Sequence, residues 1–324
     1  VLKHIQQNNI DLENITTLVL DEADKMLDMG FYDDIMEIID TLPKQRQTLL
    51  FSATYEKNIE KLASNVLLNP VVVKVENEEK VHIQQKFYSV EESNKTTLIP
   101  ALISANKAKS ILIFCNMKIT CDKLADDLYN LGLDVLTLHS DLEQKQRDET
   151  IILFSNKSYP ILIATDVASR GLHIDDVDLV INYDLSLDEK IHTHRIGRTA
   201  RAGKGGMAIS LYTHNDYDRV ELIKDTFTDI QEESFDKIED DLSYKIDSEL
   251  RTIFINGGKK QKLRAGDILG AMTAGISLKK EDIGKIDILD FASYVAINKE
   301  KISFVLEKLS KEKIKGKYYR IYEK

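Results

Sequence analysis

The chain has 324 residues, 43% hydrophobic and 30% charged, which predicts two to three domains at about 150 residues each and excludes wholesale disorder. No apolar run nears the ~18–20 residues of a membrane helix, no signal segment follows the opening Val-Leu-Lys-His, and two cysteines are too few for a disulfide framework or a multi-cysteine zinc site. The net charge of −10 is uneven: Arg251–Lys324 carries 17 Lys+Arg against 9 Asp+Glu, a balance of +8, which leaves −18 on the other 250 residues.

Cys115 and Cys121 as free thiols fit a reducing compartment, so a cytoplasmic location is expected. A basic tail on an acidic body suits either a polyanion partner or a solvated lysine-rich surface.

Short β-branched runs alternate with amphipathic stretches, the pattern of parallel βαβ units. Thr17–Leu20 and Thr48–Ser52 read as strands around a helix from Tyr32 to Leu42, stopped by Pro43. A second helix is predicted over Glu56–Leu68, before Pro70, and Val71–Val75 reads as another strand. The polar segment Asn77–Lys80 marks a domain boundary. Strands are then predicted at Ile111–Cys115, Val135–His139, Ile161–Thr165, Leu179–Tyr183 and Ala208–Tyr212. On the predicted helix Ile119–Leu131, Cys121, Leu124, Ala125, Leu128 and Leu131 share one core-facing side, which makes Cys121 a small hydrophobe. Asp229–Glu249, with 9 acids against 2 lysines, reads as a linker or a loosely held helix. From Thr252 onward, runs at Thr252–Asn256, Ala265–Met272, Ile283–Leu289, Tyr294–Ile297, Ile302–Leu309 and Tyr318–Tyr322 predict a small β-α-β-β-α-β domain. The domains are therefore 1–76, 77–228 and 250–324, with an acidic linker at 229–249.

Leu18-Val19-Leu20-Asp21-Glu22-Ala23-Asp24 is an apolar strand that ends in carboxylates. Ligands of open α/β sheets sit outside the carboxyl ends of strands. Acids there suit Mg²⁺ on a nucleotide and a water aimed at its γ-phosphate, or else an acidic helix start favoured by the dipole. Phe51-Ser52-Ala53-Thr54 and Ile161–Arg170 close other strands. In His194-Arg195-Ile196-Gly197-Arg198-Thr199-Ala200-Arg201, arginines three apart fall within an arc of roughly 120° if the segment is helical. Salt bridges to the acidic body can satisfy one such guanidinium; a triphosphate can satisfy all three.

In this order and spacing the motifs resemble the DEAD-box family of ATP-dependent RNA helicases over about residues 1–230. Asp21–Asp24 is similar to the DEAD tetrapeptide, Ser52–Thr54 to the SAT motif and Ile111–Asn116 to motif IV. Gln144 and Arg147 resemble the Q-x-x-R element, Thr165–Gly171 motif V and His194–Arg201 motif VI. The resemblance implies two RecA-like α/β domains, the first partial, using ATP and Mg²⁺. It gives Asp21 the Mg²⁺, held through water, and Glu22 the attacking water. Asp24, Ser52 and Thr54 would couple the site to domain closure, and His194 and Arg195 would join that network. Arg198 and Arg201 would act as arginine fingers supplied by the second domain, and Arg147 and Thr165 would touch RNA phosphates. Two departures stand out: the chain contains no Gly-x-x-x-x-Gly-Lys-[Ser/Thr] loop, which the family carries upstream, so an N-terminally truncated helicase is expected. His173 stands where the family has an Asp that contacts the nucleotide ribose.

The tail resembles the RNA-binding domain of the DbpA-type subgroup, in Arg251–Ile268 and Ile283–Ile297. That implies an RRM-like fold and, as partners, a hairpin of 23S rRNA and the maturing large ribosomal subunit. Tyr294 falls at one aromatic position of such a domain, whereas Ala292 and Ile297 replace two others. Lys259, Lys260, Lys262 and Arg264, beside a Gly257-Gly258 pair read as flexible, are the expected RNA contacts. The alternatives are a general helicase of cold adaptation or mRNA turnover, or an RNA-binding module without ATPase activity.

Overall fold

The computed structural model describes residues 1–52, 55, 57–74, 83–169, 174, 176–199, 205–238, 241 and 244–324. The chain divides into two compact units, Val1–Glu78 and Glu79–Lys324.

The first unit runs α1 (Leu2–Gln6), β1 (Thr17–Leu20), α2 (Ala23–Asp28), α3 (Tyr32–Asp40), β2 (Gln47–Leu50) and α4 (Lys57–Val66). β1 and β2 pair in parallel, Thr17 beside Gln47. Ile59, Leu62, Ala63 and Val66 recur at helical spacing on α4 and are buried. Ile59, Leu62 and Val66 form one core with Leu20, Ile35 and Ile39 against one face of the sheet. Val19 and Phe51 are exposed. The expected strand at Val71–Val75 does not form over its described residues: Val71 and Val73 are almost fully exposed. A β-branched run becomes a strand only where a neighbour takes its backbone hydrogen bonds, and the described residues of this unit place none beside it.

The second unit begins β3 (Ile83–Ser89), α5 (Lys95–Ala105), β4 (Ile111–Cys115), α6 (Lys118–Asn130), β5 (Val135–Leu138) and α7 (Gln144–Ser155). It continues β6 (Ile161–Thr165), α8 (Asp166–Ser169), β7 (Leu179–Asn182), α9 (Glu189–Ile196), β8 (Gly206–Tyr212), α10 (Tyr217–Thr226) and β9 (Ile230–Glu233). Among the described residues these strands make a parallel sheet in the order β5-β6-β4-β7-β8-β3-β9. β4, β6 and β7 are buried throughout, as a sheet covered on both faces requires. The strand order reverses beside β4, so the carboxyl ends of β4, β6 and β7 bound the crevice where ligands of such sheets bind. Cys115 and Cys121 are both buried, and the Cys121 thiol together with burial pushes the Cys115 thiol far up, leaving it inert.

The acidic segment is not loosely held. Its first residues are β9, a parallel edge strand on β3. Beyond it, Ile238, Tyr244 and Ile246 pack against the sheet's core. The Tyr244 hydroxyl donates to Ala108 O at 2.7 Å, and Asp241 N donates to Ser104 Oγ at 3.0 Å. A few well-spaced apolar side chains suffice to strap an otherwise charged strip to the body.

The tail, β10 (Leu250–Ile255), α11 (Ala265–Gly270), β11 (Ile283–Ile288), β12 (Ser293–Asn298), α12 (Ile302–Leu309) and β13 (Ile321–Glu323), forms an antiparallel sheet in the order β11-β12-β10-β13. Ile253, Ile255, Val295 and Ile297 point into a core with α11 and α12. The opposite face is also covered: Phe254, Ala292 and Tyr294 pack on Ile152 of α7. Beside that contact, Asn156 Nδ2 donates to Thr252 Oγ1 at 2.7 Å and Ser158 Oγ lies 2.7 Å from the same oxygen, all three residues being buried. A satisfied polar cluster in a dry contact admits one register. Thr252→Val should therefore leave two buried groups unpaired and cost about 1–3 kcal/mol. Calorimetry should show a fall in Tm of several degrees; an unchanged Tm would mean the cluster anchors nothing.

The Gly257-Gly258 pair is not a flexible hinge. A Cβ on Gly257 would meet the Tyr319 ring at 2.3 Å, and one on Gly258 would meet Leu289 O at 2.2 Å. Both glycines are there because the backbone is closely approached.

Candidate active site and RNA-binding surfaces

At the end of β1, Glu22 adopts a left-handed backbone, φ 51°, as the N-cap of α2. A non-glycine residue held there stores strain, a feature that clusters at functional sites. Glu22 N donates to Asp21 Oδ1 at 2.9 Å, and the Glu22 carboxylate pairs with Lys25 Nζ at 2.6 Å. Asp24 is buried on the first turn of α2. Ala23 N donates to Phe51 O at 3.0 Å, and Phe51 N donates to Leu20 O at 2.8 Å. These bonds clamp the acidic turn to the end of β2, so Asp21, Glu22, Asp24 and Ser52 come together. Ser52 Oγ is buried without a hydrogen-bond partner among the described residues. The exposed Asp21 carboxylate is a hard oxygen donor, the kind Mg²⁺ takes one or two of beside phosphates and water. Thr54 lies outside the described residues.

In the second unit, Arg195 is buried on α9, 1% exposed, and fully engaged. Its Nε and Nη2 donate to the two Asp166 oxygens, each at 2.7 Å. Nη2 also donates to Asn116 Oδ1 at 2.7 Å, and Nη1 donates to Asp184 O at 2.7 Å. The guanidinium also stacks 5.1 Å over the Phe114 ring. This arginine therefore ties the ends of β4, β6 and β7 together and is the one satisfied by the acidic body. The expected helical arc of three arginines does not form. α9 stops at Ile196 with Gly197 as C-cap, and Arg198 follows it, largely buried, with its carbonyl accepting from Val177 N at 3.2 Å. His194, half-buried, sits in the last turn of α9. Arg201 and His173 lie outside the described residues. Asn116, Asp166 and Asp184 carry no role in the sequence reading. Asn116 and Asp166 fall inside the segments similar to motifs IV and V, and all three share a signal of position: each follows directly on, or one residue after, the end of a strand at the crevice.

Arg147 on α7 donates through Nη2 to Ala168 O at 3.2 Å, which places it beside α8 and Thr165 at the end of β6. The same helix also grips the tail. Tyr294, 1% exposed, donates its hydroxyl to Glu149 Oε2 at 3.0 Å, and burial and the Glu149 charge push that phenol above its usual range. Lys324 Nζ pairs with the other Glu149 oxygen at 2.6 Å. Tyr294 does have aromatic company, in Phe254 at 5.4 Å edge-on, with Tyr322 at 4.7 Å from Phe254. That cluster faces α7. Lys259, Lys260, Lys262 and Arg264 are exposed on the loop between β10 and α11.

Residues 1–62 match the family described as DEAD/DEAH box helicase, 94–203 that described as helicase conserved C-terminal domain, and 252–323 the DbpA RNA binding domain. The ATP-dependent RNA helicase DbpA of Escherichia coli is 40% identical over 322 residues, 99% of this chain and 70% of its own length. The chain belongs to the DEAD-box ATP-dependent RNA helicases of the DbpA type. The DbpA of Bacillus subtilis is 36% identical, across 99% of this chain and 72% of that protein. Among solved structures, Saccharomyces cerevisiae Dbp5 bound to RNA and ADP BeF3 superposes with a TM-score of 0.65 at 31% identity, over 72% of this chain and 63% of that one. This DEAD-box chain thus combines RecA-like parallel-sheet domains with a small antiparallel C-terminal domain. Among its described residues no helix is long and apolar enough to cross a membrane.

Proposed function

We propose that this chain carries the acid-bearing turn and the RNA-binding surfaces of an enzyme that couples ATP hydrolysis to the opening of short RNA duplexes in the cytoplasm. Its tail would direct that activity to a 23S rRNA hairpin during large-subunit assembly. The observation that carries the reading is the clamped turn at the end of β1, where Asp21, Glu22 and Asp24 are fixed to the end of β2. Asp21 would hold Mg²⁺ through water, and Glu22, raised into a left-handed turn, would orient the attacking water. Mg²⁺ bound with ATP would neutralise charge on the phosphates. Asp24, Ser52, Thr54 and His194 would sense closure, Arg198 and Arg201 would meet the developing phosphate charge, and His173 would face the ribose. Arg195 would position rather than touch substrate, since its donors are taken up by Asp166, Asn116 and Asp184. Arg147 and Thr165 would hold RNA phosphates near the sheet, and the 259–264 loop would hold them on the tail. The DbpA-type tail and its +8 balance favour ribosomal targeting over a general helicase role.

The test is RNA-stimulated ATP hydrolysis by this chain alone and when supplied with a DEAD-box N-terminal half that carries the phosphate loop. The chain alone should be inactive, because fingers and acids act on a triphosphate already cradled by backbone amides and a lysine. The completed protein should turn over, and Glu22→Gln should abolish turnover while ATP-dependent RNA binding persists. Equal turnover by the Glu22→Gln protein would overturn the role of the turn.

A further inference from the structure

We infer that the tail of this chain holds unpaired RNA bases on two loop aromatics, Phe291 and Tyr318, that flank its exposed lysine loop, and not on its sheet. The inference rests on the reading that the tail binds RNA and adds where, and on which chemical feature, it does so.

An RRM-like sheet stacks bases on the aromatics of its open face. Here that face is taken by α7: Phe254 and Tyr294 are buried, and the Tyr294 hydroxyl is bound to Glu149. In the described tail the most exposed aromatic side chains are elsewhere, Phe291 at 63% and Tyr318 at 62%. Rings left this open present flat faces that a base can stack on.

Both rings are built into the surroundings of the lysine loop. On one side, Lys259 N donates to Leu289 O at 2.9 Å and Lys260 N donates to Asp290 O at 2.9 Å, which sets that loop against the turn that carries Phe291. On the other side, Ile314 and Lys317 exchange backbone bonds of 2.9 and 3.1 Å across a tight turn. Its two central residues, Lys315 (φ 51°) and Gly316 (φ 79°), are both left-handed, as a type I′ turn requires. Lys262 is left-handed too, at φ 60°. Lys315 Nζ joins the two strained tips, donating to Lys262 O at 2.5 Å and to Asp267 Oδ2 at 3.0 Å. Neither lysine needs to be where glycine or asparagine is cheaper, and such strain persists where neighbours over-determine it, typically at ligand clamps.

Tyr318 follows this turn, with Lys313 Nζ 5.5 Å from its ring centroid. A cation on one side of the ring leaves the other side for a base. Lys317 and Arg320 are exposed beside it. The surface therefore alternates aromatic, lysine, lysine and aromatic, the combination that binds single-stranded nucleic acid by stacking along a neutralised backbone. A paired helix offers its phosphates to the lysines but no free base to the rings.

The chain contains no tryptophan, so Tyr318→Trp and Phe291→Trp each install a lone fluorescent reporter. Emission from both should be quenched by an RNA hairpin with an unpaired loop and unchanged by a blunt duplex of equal length. Phe304→Trp, on α12, should respond to neither. Tyr318→Ala and Phe291→Ala should each weaken hairpin binding on the order of ten-fold, as for loss of one stacked base, and leave duplex binding unaltered. Unquenched emission while labelled hairpin binds with wild-type affinity would overturn the inference and leave tail RNA binding standing. No hairpin binding by the wild-type chain would overturn both.

Discussion

Arg198→Ala is expected to lower RNA-stimulated hydrolysis by on the order of 10³-fold in the protein completed with a phosphate loop, the loss seen when an arginine finger is withdrawn. Arg195→Ala is expected to act by a different route, although the two arginines stand three residues apart. Arg195 is buried with both Nη groups and Nε engaged, and its removal leaves the half-buried Asp166 carboxylate without its counter-charge. Breaking such a pair costs about 3–5 kcal/mol, or roughly 6–20 °C in Tm for a unit of this size. Arg198, largely buried past the C-cap of α9, contributes its carbonyl to Val177 N, a backbone bond that Arg198→Ala keeps. Calorimetry of the second unit and single-turnover hydrolysis of the completed protein separate the two roles. Hydrolysis within ten-fold of wild type for Arg198→Ala would remove it as a finger. A wild-type Tm for Arg195→Ala would remove the hub.

The strands that carry the motifs were legible because they are uniformly apolar and sit between turns. Ile111–Cys115 and Ile161–Thr165 match residue for residue. The acids at the end of β1 were legible because strand ends in α/β sheets are where ligands bind. β3 was not, since Gln84, Gln85 and Lys86 interrupt its apolar pattern, and Gln85 is nevertheless buried against His192. β9 was hidden by its glutamates, which an edge strand can leave in solvent. The arginine arc, which requires a helix through Gly197, does not form because α9 ends at Ile196.

The seat of the tail on α7 was beyond any local pattern. Glu149 and Tyr294 are 145 positions apart, and nothing in either segment announces the other. An aromatic on an RRM-like strand reads as an RNA platform when its sheet face is assumed to be open. The same Tyr294 becomes a packing residue once Ile152 covers it. α7 consequently carries both Arg147, which we propose holds RNA, and the seat of the tail, beginning at Glu149, on one helix.

The second unit is expected to lose about 2 kcal/mol of stability between pH 7 and pH 5 through His192 alone. His192 is fully buried on α9, its ring edge-on to Phe87 and Phe227. Nε2 donates to Gln85 Oε1 at 2.8 Å, while Nδ1 has no partner among the described residues. Burial, and secondarily the charge of Arg195, depress its pKa from 6.5 to about 4. In that window the unfolded chain binds a proton that the folded one refuses, so stability falls as pH drops from 6.5 toward 4 and is complete above 6.5. The full difference of about 2.5 pH units is worth about 3 kcal/mol, of which about 2 is gone by pH 5. For a unit of this size that is roughly 4–8 °C in Tm. His192→Phe removes the titrating group and keeps a ring among Phe87 and Phe227, so its Tm should fall less than wild type over the same interval. Calorimetric scans of both proteins at pH 7 and pH 5 decide the matter: equal falls would show that the acid sensitivity of this unit lies in other groups.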